Sequence, residues 1–166
     1  EADKLPSPVR TQTYFVGEAL SALPTLAYAV DPRVFSDVEK GIYRNSFKQR
    51  EVPVHIEFFQ RDRTSAFSLD AGSRISGLNI WRFAQKPLTI YLRDRYGADA
   101  LHYPLFADEG VGIFARFSLR NGGDDWASTL LRDPFAERIA QGQMANEGLA
   151  YRPVSAFVNG EYWGIY

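Results

Sequence analysis

Alternation of apolar and polar positions runs through most of the chain. The clearest stretch is Val52 to Gln60, where Val52, Val54, Ile56 and Phe58 fall on one face and His55 and Glu57 on the other. That is the period-two pattern of a half-buried strand. Arg61-Asp62-Arg63-Thr64 is a polar loop of hairpin length, and Ser65 to Asp70 is predicted as the returning strand, continued by Ala71 to Gly77. Thr11 to Val16 and Thr25 to Val30 are rich in β-branched and aromatic residues and are also predicted strands. Pro87 to Arg93 is another, with Leu88, Ile90 and Leu92 inward. Val111 to Arg120 alternates again, which predicts Val111, Ile113, Ala115, Phe117 and Leu119 inward.

Helical signals are fewer. Asp31-Pro32 breaks the second predicted strand and suits one helical turn over Pro32 to Asp37, with Asp31 as cap and Pro32 in the first position. Asn121-Gly122-Gly123 is a turn, after which Asp124 or Asp125 can cap a helix beginning at Trp126. Asp133 fits a second N-cap with Pro134 in first position, and Phe135, Ile139 and Ala140 then form an apolar stripe reaching about Met144. Val154 to Val158 and Tyr162 to Tyr166 flank Asn159-Gly160, a pair suited to a type I′ hairpin turn because both central residues need positive φ. The predicted class is α+β: a mostly antiparallel twisted sheet with one main helical segment. Residues 1–10, with Pro6 and Pro8, read as an extended arm or linker, and residues 11–166 as one domain.

Composition narrows the chemistry. The chain has 166 residues, 19 basic and 20 acidic side chains, two histidines and no cysteine. A charge balance near zero argues against nucleic acid as an obligate partner, since phosphate binding needs clustered Lys and Arg. No apolar run approaches the roughly 18 residues of a membrane span. Without cysteine there is no disulfide, thiolate zinc site or thiol nucleophile. Histidines 55 and 102 are too few for a three-histidine metal site, and neither has a partner at a catalytic spacing along the sequence. The chain begins Glu1-Ala2-Asp3 and stops inside the apolar run Tyr162 to Tyr166, which reads as an excised piece cut through a strand. An apolar patch from Trp163, Ile165 and Tyr166 is then expected at the carboxyl end, where it would support self-association.

Candidate phosphate loops fail on context. Gly110-Val111-Gly112-Ile113-Phe114-Ala115 matches GxGxxA, yet it leads into a predicted strand where a dinucleotide fingerprint would open a helix. Gly72 to Gly77 has the outer spacing of a Walker loop, but Leu78-Asn79 stands where Lys and Ser/Thr are needed. Asp124-Asp125 and Asp108-Glu109 are explained by capping and turn solvation, leaving no metal site expected. Most aromatic residues lie at strand-alternating positions and read as core. Lys86, just before Pro87 and its strand, reads as a solvated strand-edge lysine when taken alone.

The order of several short stretches changes that reading. They are Leu23-Pro24-Thr25-Leu26 with Asp31-Pro32, Gly41-Ile42-Tyr43, Pro53 to Phe59, Arg74-Ile75-Ser76-Gly77 and Gln85-Lys86-Pro87. Tyr96-Gly97 with Tyr103-Pro104-Leu105-Phe106, Leu119 to Asp125 with Arg132-Asp133, and Val158-Asn159-Gly160-Glu161-Tyr162-Trp163-Gly164-Ile165-Tyr166 follow. Together they resemble the kinase-like family named for spore coat protein H, CotH. The resemblance implies the amino-terminal lobe of an atypical protein kinase, truncated at the hinge and without catalytic residues of its own. It implies ATP and a divalent metal, Mg or Mn, as cofactors of a longer parent, with neither held tightly by this chain. It further implies a protein substrate, a second lobe as partner, and an extracytoplasmic setting, secreted or at the cell surface, with the cytoplasm or spore coat as alternatives. Lys86 and Arg74 would be nucleotide-binding, and Glu137 would be the lysine's carboxylate partner by position. The family's serine near the lysine has no clear counterpart among Asn79, Trp81 and Arg82. The alternative is a non-enzymatic extracellular β-rich interaction or glycan-binding module.

Overall fold

The computed structural model describes residues 9–17, 22–77, 82–107, 110–141, 143 and 148–166. Residues 1–8 of the predicted 1–10 arm, Asp108-Glu109, Asn79 with Trp81, and the helical stretch toward Met144 lie outside the described residues. Among the described residues, nine strands and two helices run in the order β1 Thr25–Ala29, α1 Pro32–Phe35, β2 Val52–Phe59, β3 Ser65–Ile75, β4 Leu88–Tyr91, β5 Leu101–His102, β6 Ile113–Phe114, β7 Arg116–Leu119, α2 Arg132–Ala140, β8 Ser155–Val158 and β9 Glu161–Ile165. Seven of the strands form one sheet in the order β7-β4-β3-β2-β1-β8-β9, and β5 pairs with β6 separately. Neighbours in the large sheet are antiparallel except β1 and β8, which are parallel. The fold is mostly β with one substantial helix, and the sheet is mixed.

Alternation gives that sheet two distinct faces. Leu26 and Tyr28, Val54, Ile56 and Phe58, Ala71 and Ile75, Leu88 and Ile90, and Ala156 and Val158 are buried on the inner face. There α1 closes over them. Asp31 caps it by accepting from the Arg33 N–H at 2.8 Å, with Pro32 in first position, as the sequence predicted. The chain then folds back, Ile42 and Tyr43 donating their N–H groups to Val34 and Phe35, and Phe35 packs against Tyr28, Tyr43 and Trp163. The outer face carries Ala27 and Ala29 of β1, His55 and Glu57 of β2 and Phe157 of β8, as the pairing register requires.

Five expectations are corrected. Residues 11–16 are irregular and mostly exposed, with no sheet partner, although Phe15 packs edge-on to Phe59. The alternating run from Val111 splits at Ala115: β6 pairs with β5 and β7 with β4, so Val111 and Ile113 are exposed while Leu119 is buried. No helix begins at Trp126. Gly123–Asp125 is a 3₁₀ turn, and the Asp125 carboxylate reaches forward to accept from the N–H groups of Leu131 and Arg132, each at 3.1 Å. That leaves Asp133 to pair with Arg120 at 2.5 Å. Helix α2 buries none of its residues, and its predicted inward stripe is exposed at Phe135 and Ile139.

The carboxyl end is the fifth correction. Tyr166 is buried and exchanges both backbone hydrogen bonds with Val154, while Trp163 and Ile165 are half-buried. The anticipated apolar patch is absent there among the described residues. The terminal hairpin itself is as predicted, with Asn159 at φ 50° and Gly160 at φ 85°. Asn159 is also tied to β1: its side chain accepts from the Val30 N–H and its own N–H donates to Tyr28. A side chain at Gly160 has room but the wrong backbone. Gly160→Val is therefore expected to destabilise the chain by about 1–2 kcal/mol, read from urea melts. An unchanged midpoint would remove the left-handed turn.

Candidate functional site

Lys86 sits where four distant parts of the chain meet. Its N–H donates to Tyr43 Oη at 2.8 Å and its carbonyl accepts from the Tyr166 hydroxyl at 2.9 Å. Tyr43 Oη in turn donates to the Ala84 carbonyl and accepts from Trp163 Nε1. Next to it, Gln85 donates from Nε2 to Ile165, accepts at Oε1 from Trp126 Nε1, and accepts at its carbonyl from Asn121 Nδ2. Residues 84–86 are thus fixed by Tyr43, by the loop after β7, and by β9 with Tyr166. These are the stretches that carried the family resemblance, now in physical contact.

The lysine is not the solvated residue its position in the sequence predicts. It is 9% exposed, its Nζ donates to the Phe83 carbonyl at 2.8 Å, and it lies 5.6 Å over the Tyr43 ring. Burial lowers its pKa, because desolvation disfavours the ammonium form. Burial likewise raises the pKa of Tyr43 and Tyr166, so both remain neutral donors at ordinary pH. A buried cation held by carbonyl and aromatic groups is a point charge with capacity for an anion.

The other two expected residues are placed elsewhere. Arg74 on β3 alternates to the outer face, opposite Thr89, and donates to the Tyr91 hydroxyl at 2.6 Å while stacking on its ring. Its Nε is buried without a hydrogen-bond partner. Glu137 on α2 lines cavities shared with Pro134, Leu149, Ala150 and Tyr151, and Lys86 lines neither of them. Arg74 is thus placed with Tyr91 on the outer face, and Glu137 beside the cavities along α2. Among the described residues, no group of three or more metal-ligating side chains gathers.

Two features were missed from sequence. His55 is the centre of a relay, with Nδ1 2.7 Å from Asp70 and Nε2 3.1 Å from the Ser68 hydroxyl. The signal was available, because pairing the predicted strands across the Arg61–Thr64 loop sets 55 opposite 70 and 57 opposite 68. Asp125 is the second. It is 3% exposed, and hydrogen bonding from Thr129, aided by the Arg132 N–H and against the opposing effect of burial, holds its carboxyl below the usual aspartate range. A depressed native pKa adds stability above the unfolded value that is lost as pH falls through the native one. Asp125→Asn is accordingly expected to flatten the stability profile below about pH 4. Parallel acid slopes in wild type and variant would contradict this.

Among the described residues, no helix is long and apolar enough to cross a membrane. A family model described as CotH kinase protein matches residues 74–166, more than half of the chain and the part that holds Lys86, the Asn121–Asp125 loop and the terminal hairpin. No curated protein matches the chain.

Proposed function

The chain belongs to the CotH kinase protein family, and we propose that it is the phosphate-holding amino-terminal lobe of an atypical protein kinase, with Lys86 as the residue that meets the nucleotide. The observation that carries this is the convergence of Tyr43, Trp126, Trp163 and Tyr166 on residues 84–86, which fixes the Lys86 backbone from both sides. A catalytic group held by such a shell keeps its position when charge develops on a transferring phosphoryl group. The antiparallel run β7-β4-β3-β2-β1, with Lys86 just ahead of β4, is also in keeping with a kinase lobe.

The residues present fit part of the implied cofactor set. Lys86 supplies a cation for phosphate. The described side chains do not assemble a metal site, so no step through a divalent metal follows from them. ATP with Mg or Mn, a protein substrate carrying a hydroxyl group, a second lobe, and an extracytoplasmic or spore-coat setting all belong to this reading of the whole protein. Transfer also needs a base and metal-holding carboxylates. Residues 1–166 alone are therefore expected to show no ATP turnover in a radiolabelled assay, and measurable transfer by the chain itself would overturn the division of labour.

A second reading, a β-rich interaction module without phosphoryl chemistry, is favoured by one observation: Lys86 lines none of the five cavities described. Nucleotide binding by wild type but not by a Lys86 variant separates the two.

A further inference from the structure

The outer face of the sheet carries a groove unrelated to the Lys86 cluster. Its volume is about 710 Å³, within the range that holds a small ligand. Ala27 and Ala29 of β1 keep the floor low, and Phe157 and Tyr162, packed edge to face at 5.5 Å, form one wall. Glu57 of β2 lines the groove, is 5% exposed, and has no hydrogen-bond or ion-pair partner among the described residues. A carboxylate in the floor of a groove, with no protein partner among the described residues, is an acceptor ready for a cation bound there.

We propose that this groove binds an organic ammonium group carried on an apolar body. Two features select that class. A divalent metal needs several ligating side chains, and no such group gathers among the described residues. Aromatic faces beside a carboxylate suit an ammonium ion and its apolar stem together. Arg61 and Arg63 line the groove at the hairpin turn, where the Arg63 guanidinium stacks on Phe15 at 4.9 Å. The site stands independently of the kinase reading, because Glu57 and Lys86 lie on opposite faces of the sheet.

The test is an amide NMR titration of the 166-residue chain with 2-phenylethylamine, with 2-phenylethanol as the uncharged match, and with N-acetyl-lysine methylamide. Saturable shifts at Ala27, Ala29 and Phe157 are expected with the amine. Affinity should fall about tenfold or more for the alcohol and for Glu57→Gln, the size expected when a hydrogen bond to a charged group is lost. Saturation by the lysine amide as well would assign the ammonium group to a protein partner; saturation by the free amine alone would assign it to a small molecule. Equal binding of amine and alcohol, an undiminished Glu57→Gln, or no saturable shift with either cation overturns the proposal. Should Glu57→Gln not fold, Tyr162→Ala at an exposed wall position carries the test: weaker amine binding supports the site, and unchanged binding overturns it.

Discussion

Lys86→Met is expected to lower phosphoryl transfer by about a hundredfold or more in a longer CotH protein that contains this chain, the size found when one electrostatic stabiliser is removed. Methionine keeps an unbranched apolar stem over Tyr43 and removes the charge together with the Nζ hydrogen bond to the Phe83 carbonyl. The contacts that fix residue 86 use its backbone N–H and carbonyl, so they survive the substitution. Melting should therefore change little while transfer collapses. The near-complete burial of Lys86 makes methionine the informative variant, because alanine would also open a gap against the Tyr43 ring. Radiolabelled transfer assays and thermal melts on the same samples check both halves. Equal rates at equal stability would return Lys86 to a structural role.

Gly41→Ala is expected to be the most damaging small substitution in the chain. A Cβ at residue 41 would stand 2.5 Å from the backbone N and O of Asp37 and 2.7 Å from the Phe35 carbonyl oxygen. Backbone cannot swing aside as a side-chain end can, so the loop from 36 to 45 must open. Two residues later Tyr43 packs on Phe35 and Trp163 and accepts the Lys86 N–H. The loss therefore reaches the lysine. A cost of about 3 kcal/mol, the upper part of the overpacking range, is expected in urea melts. The same variant should weaken any nucleotide binding, although residue 41 itself touches no ligand-facing group. A loss under half a kilocalorie would mean that the 36–45 loop is looser than its contacts require.

Much of the sheet was legible because burial on one face imposes alternation. Val52 to Phe58 shows it best, and the Asn159-Gly160 turn was readable because few residue pairs tolerate two positive φ values in succession. Alternation misled where the partner strand changes. Val111 to Leu119 keeps its rhythm in sequence, but Ala115 lies between pairings to two different sheets, so inward and outward positions are reset. The apolar stripe of α2 had helical spacing, yet spacing does not say whether a surface exists to receive it, and Phe135 remains exposed. The parallel β1–β8 pairing joins segments more than a hundred residues apart and leaves no local trace. Residues 11–16 have strand composition but form no strand among the described residues.

The candidate site followed the same division. Lys86 could be singled out from its order among the family-like stretches, and its burial could not. A lysine before a strand is solvated unless tertiary contacts enclose it, and the enclosing groups come from Tyr43 and Tyr166, more than a hundred residues apart in the chain. Arg74 follows from the family resemblance, and strand parity places it on the outer face of the sheet, opposite Thr89. Glu137 follows from its place on the helix after the Asp124-Asp125 turn, and in the structure it lines cavities with Pro134, Leu149 and Tyr151. Glu57 was read only as a polar-face residue; its isolation became visible once β1, β8 and the segment around Phe15 were in place.

The central claim is that Lys86 meets a nucleotide phosphate. A fluorescence titration of the 166-residue chain with trinitrophenyl-ATP, competed by ATP, measures this without requiring turnover. The account predicts weak, saturable binding that ATP displaces, reduced at least tenfold in Lys86→Met with an unchanged melting midpoint. Equal affinity in wild type and Lys86→Met, or no displaceable binding by wild type, would contradict it.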